Sequence, residues 1–257
     1  MKIKLQAHRG VSTEYPENTL PAFRAAIEQG YDYIEVDPHF TADSQCVLIH
    51  DCRLNRTCRT ADGLQLPEPV SIEDITYAQA RQYDAGVAFD ARFRGTRIPL
   101  LSELLELTRH TAVTVKIDNR FQCFSPEQLD ALLRIVKESG AQVAFTCSQP
   151  GFVRMIHERL PECEIHYDGY VDEAAVQKIA AIVGSKDFYV WLGLDTPKIA
   201  WVTVPKASPE LCAMVKRYAH LGIWILSTEE EREAAAQLGA ELIETTGSLK
   251  PDQNRHE

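Results

Sequence analysis

The alternation of strand-length and helix-length segments constrains this chain more than any other feature. Short β-like runs stand at 3–7 (IKLQA), 33–37 (YIEVD), 112–116 (AVTVK), 142–146 (QVAFT), 164–167 (EIHY), 201–204 (WVTV), 223–226 (IWIL) and 242–245 (LIET). A further run at 188–192 (FYVWL) is able to displace 201–204. The segments between carry helix start and stop signals. Asn18 is placed to cap a helix with Pro21 in its first turn, and Gly30 to end it. Ser125-Pro126-Glu127-Gln128 reads as a capping box before a stripe of Leu129, Leu132, Leu133 and Val136, with Gly140 as the stop. Ser208-Pro209 opens another helix, with Gly222 as its stop, and the box from Thr228 to Glu231 opens a third, closed by Gly239. Eight strands alternating with helices predict an α/β fold, a closed (β/α)8 TIM barrel. At 257 residues and 45% hydrophobic content the chain is long and apolar enough for one such barrel. An open doubly wound sheet is the competitor. It is disfavoured because His8-Arg9-Gly10 after the first strand is not GxGxxG, and GxxxxGK[ST] occurs nowhere.

One segment breaks the rhythm. A β-like run from Cys46 to His50 follows the second strand by only a few residues. A parallel crossover needs a dozen or more residues, so this connection has to be a hairpin, turning near Ala42-Asp43-Ser44. His50 and Asp51 then return to the level of Glu35 and Asp37. Residues 51 to about 98 are long, irregular and polar, and they read as a small insertion after strand two that caps the barrel mouth. The expectation is one TIM-barrel unit over residues 1–257 that includes this subdomain. Arg53, Arg56 and Arg59 in the insertion are expected to hold it together rather than to touch a substrate.

In a TIM barrel the C-terminal ends of the strands line the active site. Strand one ends at His8-Arg9. Strand two carries Glu35 and Asp37, spaced to face the same way. The hairpin returns His50, and strand three places Thr114, Lys116 and Asp118 on one face. Two imidazoles suit general acid and base work near neutral pH. Arg9 and Lys116 suit phosphate oxygens. Glu35 and Asp37 suit a hard divalent cation, Mg²⁺ or Ca²⁺. Together these describe metal-assisted chemistry on a phosphate ester. Lys116 has a competing reading as a buried ion-pair partner of Glu35. His39, His110, His157, His166, His220 and His256 are read as structural, and Glu229-Glu230-Glu231 as a solvated helix start.

These residues also carry a family resemblance. The chain resembles the glycerophosphodiester phosphodiesterases through His8-Arg9-Gly10, Pro16-Glu17-Asn18-Thr19, Ala22-Phe23, Glu35-Val36-Asp37 and His50-Asp51. The likeness continues through Leu54-Asn55-Arg56-Thr57, Asp84-Ala85-Gly86 and the run from Ile98 to Glu103, and more loosely through Lys116, Trp224 and the last strand. It implies a TIM barrel with a small insertion after strand two. It also implies divalent-cation-dependent hydrolysis of a small-molecule glycerophosphodiester to glycerol 3-phosphate and an alcohol. By the same resemblance His8 and His50 are the acid–base pair, Glu35 and Asp37 are metal ligands, Arg9 and Lys116 contact phosphate, and Trp224 faces the glycerol end. Two departures stand out. Thr114 occupies the position of a usual third carboxylate, and Asp118 is offered as its replacement. Near the C-terminus Thr245-Thr246-Gly247 stands where an acidic residue is common, so nothing acidic is expected there.

The net charge of −10 argues against a nucleic-acid surface. No run approaches the length of a transmembrane segment, the first residues are too mixed for a signal peptide, and seven scattered cysteines read as reduced thiols in the cytoplasm. Two functional alternatives remain: a phosphate-ester-binding barrel with lost or weak turnover, and a phosphodiester lyase that stops at a cyclic phosphate. A metal-dependent amidohydrolase needs HxH at the end of strand one, where this chain has His8-Arg9-Gly10. Choline, ethanolamine, glycerol, inositol or a lysophospholipid head all fit as the leaving alcohol.

Overall fold

A computed structural model of the chain describes residues 3–194 and 205–252. Eight parallel strands close into a barrel: β1 (Lys4–His8), β2 (Tyr33–Val36), β5 (Thr114–Ile117), β6 (Val143–Cys147), β7 (Glu164–Tyr167), β8 (Phe188–Gly193), β9 (His220–Leu226) and β10 (Leu242–Thr245). The sixth barrel strand is therefore the 188–193 run. The expected strand at 201–204 lies outside the described residues. Helices α1 (Leu20–Glu28), α3 (Leu101–Thr108), α4 (Pro126–Ser139), α5 (Pro150–Arg159), α6 (Glu173–Val183), α7 (Pro209–Lys216) and α8 (Glu229–Gln237) alternate with the strands. The principal core lies between strands and helices, where Ile34, Val115, Phe145, Val190 and Ile243 pack against Phe23, Leu104, Leu132 and Val215.

Helix ends follow local chemistry where no tertiary demand competes. The Ser125 and Thr228 boxes form as expected, and Gly140 takes the left-handed conformation at φ 67° that ends α4. The three glutamates that open α8 complement its dipole. Two expected signals are corrected. Thr19, not Asn18, is the N-cap of α1, because the Asn18 amide is turned to Asp37. Gly222 lies inside β9 and does not end α7, which stops at Lys216. A Cβ on Gly222 would meet the Trp191 indole at 2.7 Å, so this glycine makes room for an aromatic ring inside the barrel.

The hairpin forms as expected. Strands β3 (Pro38–Phe40) and β4 (Cys46–Leu48) pair antiparallel, with Pro38 opposite Leu48. The Ile49 N–H donates to the Asp37 carbonyl at 3.0 Å, which returns His50 to the end of strand two. Beyond it the insertion collects its own apolar cluster of Leu54, Cys58, Leu66, Ile72, Ala80, Ala85 and Ile98 against Val47 and Ile49 of the hairpin. Phe89 is left exposed, and Val87 is half-buried. The short helix α2 (Tyr77–Ala80) carries its own Thr76–Gln79 capping box.

Register sets the layers of the barrel interior. His8 stands opposite Glu35, and Glu35 opposite Lys116. One residue pair deeper, Gln6 is opposite both Tyr33 and Glu244, and Tyr33 is opposite Thr114. Tyr33, Tyr189, Trp191 and Leu242 fill the floor, with Trp224 packed against them.

Candidate active site

The chain leaves β1 through a tight turn. Arg9 and Gly10 both have positive φ, 59° and 80°, and a Cβ on Gly10 would come within 2.7 Å of Ala22 of α1. Glycine is thus required where the turn presses on the first helix. The turn aims the Arg9 N–H at Glu35, donating to the carbonyl and to Oε2, each at 3.1 Å. His8 Nε2 lies 3.8 Å from Glu35 Oε2 and 4.0 Å from Glu244 Oε1. Burial, reinforced by the Arg9 and Lys116 charges, pushes His8 down to about 3. At neutral pH it is a neutral imidazole, able to accept a proton.

Glu35, Asp37 and Asp118 each bring a carboxylate oxygen within 4.8 Å of the others. Burial raises the pKa of Glu35, and Asp37, Glu244 and Asp118 raise it further. Burial and Asp118 raise that of Asp37. Asn18 Nδ2 donates to Asp37 Oδ2 at 2.7 Å, and Arg9 Nε lies 3.3 Å from the same oxygen. Asn18 reaches it from a left-handed backbone, φ 53°, a conformation that asparagine tolerates. Asp118 Oδ1 accepts from the Arg120 N–H at 3.0 Å. Three converging carboxylates, those of Glu35 and Asp37 buried, repel one another, and a hard dication with oxygen ligands relieves that repulsion, so this donor set fits Mg²⁺ or Ca²⁺. Thr114 stands a residue pair deeper, opposite Tyr33, and so does not share the layer of the cluster.

Lys116 Nζ donates to Glu244 Oε2 at 3.3 Å and sits 4.0 Å above the Trp191 ring. Its ion-pair partner is Glu244 and not Glu35. Thr245-Thr246-Gly247 supplies nothing acidic, as expected, but Glu244 just before it does. Glu244 is buried, accepts from the Gln6 amide, and faces the site one residue before Thr245-Thr246-Gly247. Its signal in the sequence is a charged residue on the inward side of an apolar barrel strand. Trp191 is held by Nε1–H donation to His166 Nδ1 at 2.9 Å, and His166 Nε2 meets Glu164 Oε1 at 2.5 Å.

His50 belongs to a second network that joins insertion and barrel. Its Nδ1 is 2.6 Å from Asp51 Oδ1. Arg56 Nε donates to Asp51 Oδ2 at 2.6 Å, and its two terminal nitrogens donate to the Glu17 carboxylate at 2.8 and 2.7 Å. Arg9 Nη1 donates to Glu17 Oε1 at 3.1 Å. Against burial, Arg56 and His50 hold the Asp51 carboxyl down to about 2. Arg56 therefore braces the insertion, as expected. Arg59 caps local carbonyls of Asn55 and Cys58, and Arg53 pairs with Ser71.

A cavity of about 340 Å³ opens at the barrel mouth. His8, Glu35, Lys116, Asp118 and Trp224 line it, joined by Asn119, Thr146, Asp168, Trp191, Ile225 and Glu244, none of which was anticipated from sequence. Arg9, Asp37 and His50 lie outside its lining.

The closed eight-stranded barrel, with carboxylates, His8 and Lys116 gathered at one mouth, places the protein in the class of TIM barrels. Within that class the model of the glycerophosphoryl diester phosphodiesterase family matches residues 8–242, and the chain belongs to this family. It is 36% identical over 140 residues to a glycerophosphodiester phosphodiesterase of Caldanaerobacter subterraneus subsp. tengcongensis, covering 54% of each chain. It is 39% identical over 116 residues to one of Bacillus altitudinis, covering 45% of this chain and 44% of that one. These matches thus span about half the length of the relatives. Among solved structures, an Oleispira antarctica phosphodiesterase in complex with the product sn-glycerol-3-phosphate superposes with a TM-score of 0.76 at 18% identity, over 95% of this chain and 93% of that one. A glycerophosphodiester phosphodiesterase from Agrobacterium tumefaciens gives 0.67 at 19%, over 95% and 96%.

Proposed function

We propose that this protein hydrolyses glycerophosphodiesters to glycerol 3-phosphate and an alcohol, with a divalent cation at Glu35, Asp37 and Asp118. The observation that carries the reading is the convergence of His8, Glu35, Asp118 and Lys116 on one cavity mouth, with Asp37 clustered beside Glu35 and Asp118. When bound, Mg²⁺ or Ca²⁺ polarises the phosphoryl oxygens and offsets their charge. Lys116 and Arg9 add positive charge for the same oxygens. Glu244 fixes the Lys116 ammonium, and Glu17 and Asp37 fix the Arg9 guanidinium. His8 takes a proton from the attacking water, whose oxygen bonds to phosphorus as the bond from phosphorus to the alcohol oxygen breaks. Asp51 on Nδ1 orients His50 so that Nε2 delivers a proton to the leaving alcohol oxygen. Trp224 packs beside the glyceryl carbons. The insertion, built as part of the one barrel unit, follows His50 directly and shapes the side of the mouth where the alcohol departs.

No helix among the described residues is long and apolar enough to cross a membrane. Seven free thiols, five of them buried, support the cytoplasm as the working compartment. The test is release of glycerol 3-phosphate from a panel of glycerophosphodiesters with Mg²⁺, Ca²⁺ or chelator, followed by ³¹P NMR. Cation-dependent glycerol 3-phosphate is expected. A cyclic phosphate as the end product identifies a lyase, and no turnover with either cation identifies a binding barrel.

A further inference from the structure

A line of polar side chains runs down the inside of the barrel beneath the site, and the reaction described above makes no use of it. It begins at Glu164, the first residue of β7, whose side chain is 31% exposed at the N-terminal end of the barrel. Glu164 Oε1 meets His166 Nε2 at 2.5 Å, and the Tyr33 hydroxyl donates to both Glu164 oxygens, at 2.9 and 3.1 Å. His166 is completely buried, and its Nδ1 accepts from Trp191 Nε1–H at 2.9 Å. The Trp191 indole borders the cavity, with the Lys116 ammonium 4.0 Å from its ring centre.

An indole N–H only donates, so His166 Nδ1 must carry a lone pair. The ring proton then sits on Nε2, where Glu164 accepts it. Burial lowers the pKa of His166, which keeps the ring neutral. The other tautomer would set two N–H groups against each other and leave the Glu164 carboxylate facing a lone pair. The indole is thus held from below by a network with one proton arrangement. Lys116 in turn is 5% exposed and is supported by Glu244 Oε2 at 3.3 Å and by the Trp191 ring. We propose that Glu164, His166 and Trp191 form a positioning relay that sets where the Lys116 ammonium stands, so that the N-terminal end of the barrel steadies a charge at its catalytic end. This rests on the phosphodiester reading, in which Lys116 meets phosphate.

The test measures His166→Asn, His166→Phe and Glu164→Ala in the full chain, alone and combined with Lys116→Ala, with thermal melting as the folding control. Asparagine is smaller than histidine but keeps an acceptor at the place of Nδ1. Phenylalanine fills the space and offers none. Packing alone favours phenylalanine, whereas the relay favours asparagine. His166→Phe should lower kcat/KM by roughly 10- to 100-fold, and His166→Asn by clearly less. Glu164→Ala should give a smaller loss than His166→Phe, and it keeps the test readable if the His166 variants do not fold. In the Lys116→Ala background each further loss should nearly vanish, since the relay acts through that ammonium. The ¹⁵N–¹H indole resonance of Trp191, assigned with Trp191→Phe, should move upfield in His166→Phe and stay near its wild-type position in His166→Asn. A loss in His166→Asn as large as in His166→Phe overturns the proposal. So does an unchanged kcat/KM in folded Glu164→Ala, a full further loss in the Lys116→Ala background, or an indole resonance indifferent to His166→Phe. If wild type hydrolyses no diester, the catalytic reading fails. The same comparisons, made on the affinity for sn-glycerol 3-phosphate with Mg²⁺ present, then decide the relay.

Discussion

Arg56 of the insertion and Glu17 of the β1–α1 loop form a two-pronged ion pair at 2.7 and 2.8 Å, and the same guanidinium holds Asp51, the partner of His50. Pro16-Glu17-Asn18-Thr19 and His50-Asp51 are thus two halves of one brace. Glu17 also holds Arg9, and Asn18 holds Asp37.

The brace predicts a separation of stability from activity. Arg56 is 46% exposed on its side chain, so solvent screening limits the pair to less than ~1 kcal/mol. Arg56→Ala should therefore shift the melting temperature little, while kcat falls by about tenfold as the His50 ring loses its orientation. Arg56→Lys should behave nearly as badly, because an ammonium cannot match the fork. Melting curves beside steady-state rates check this. A large loss of stability with kcat intact would show that the brace serves the fold alone.

His8→Ala and His50→Ala should each cut kcat by ~10²–10⁴ without unfolding the barrel. The two differ in electrostatic setting. His8 is pressed toward the neutral form by burial, Arg9 and Lys116, whereas His50 is partly open and tied to Asp51. Exogenous imidazole should therefore restore more activity to His50→Ala than to His8→Ala. The rescue ratio is measured with both variants at saturating substrate, and stronger rescue of His8→Ala would reverse the accessibility argument.

The barrel was legible because each strand and helix carries its own local signal: apolar runs, capping boxes, stop glycines. The hairpin was legible from chain length alone. What escaped was set by contacts distant in sequence. Asn18 looks like a helix cap because asparagine shortly before a first-turn proline has that chemistry, but Asp37 captures its amide. Gly222 looks like a helix stop, yet it is needed to admit the Trp191 ring. Glu244 on β10, Thr146 on β6 and Asp168 just past the end of β7 meet only when the barrel closes. Of the site itself, the residues in contiguous motifs were readable, and the wall facing them was not.

The carboxylate cluster predicts how cations act on stability. Glu35 and Asp37 have folded-state pKa values above their ordinary ones. Such groups contribute stability that is complete below the unfolded values of 4.5 and 3.8 and is lost as pH rises through the raised folded values. His8 acts in the opposite sense, costing stability as pH falls from its ordinary 6.5 toward about 3. The useful quantity is therefore the increment in melting temperature caused by Mg²⁺ or Ca²⁺. It should be larger near pH 8 than near pH 5, because protons compete with the cation at the cluster. Chelator should abolish it, and Asp37→Asn should remove most of it. An increment independent of pH would place the cation elsewhere.

The last prediction concerns which strand-three residue completes the cation site. Asp118 joins Glu35 and Asp37 within 4.8 Å, while Thr114 lies opposite Tyr33, one residue pair below. Oxygen-ligand sites weaken as anionic ligands are lost. Asp118→Asn should therefore raise the cation concentration needed for half-maximal activity by about tenfold or more, while Thr114→Val leaves it unchanged. Asp118 also accepts the Arg120 N–H at the start of the short helical turn Asn119–Cys123, and asparagine can keep that bond through its carbonyl oxygen. The substitution thus removes charge and preserves the turn, and an altered half-saturation reads the ligand role rather than local unfolding. Cation titrations of wild type, Asp118→Asn and Thr114→Val decide the matter. Equal half-saturation in all three would remove Asp118 from the site and leave Glu35 and Asp37 as the protein ligands, with substrate oxygens and water completing the shell.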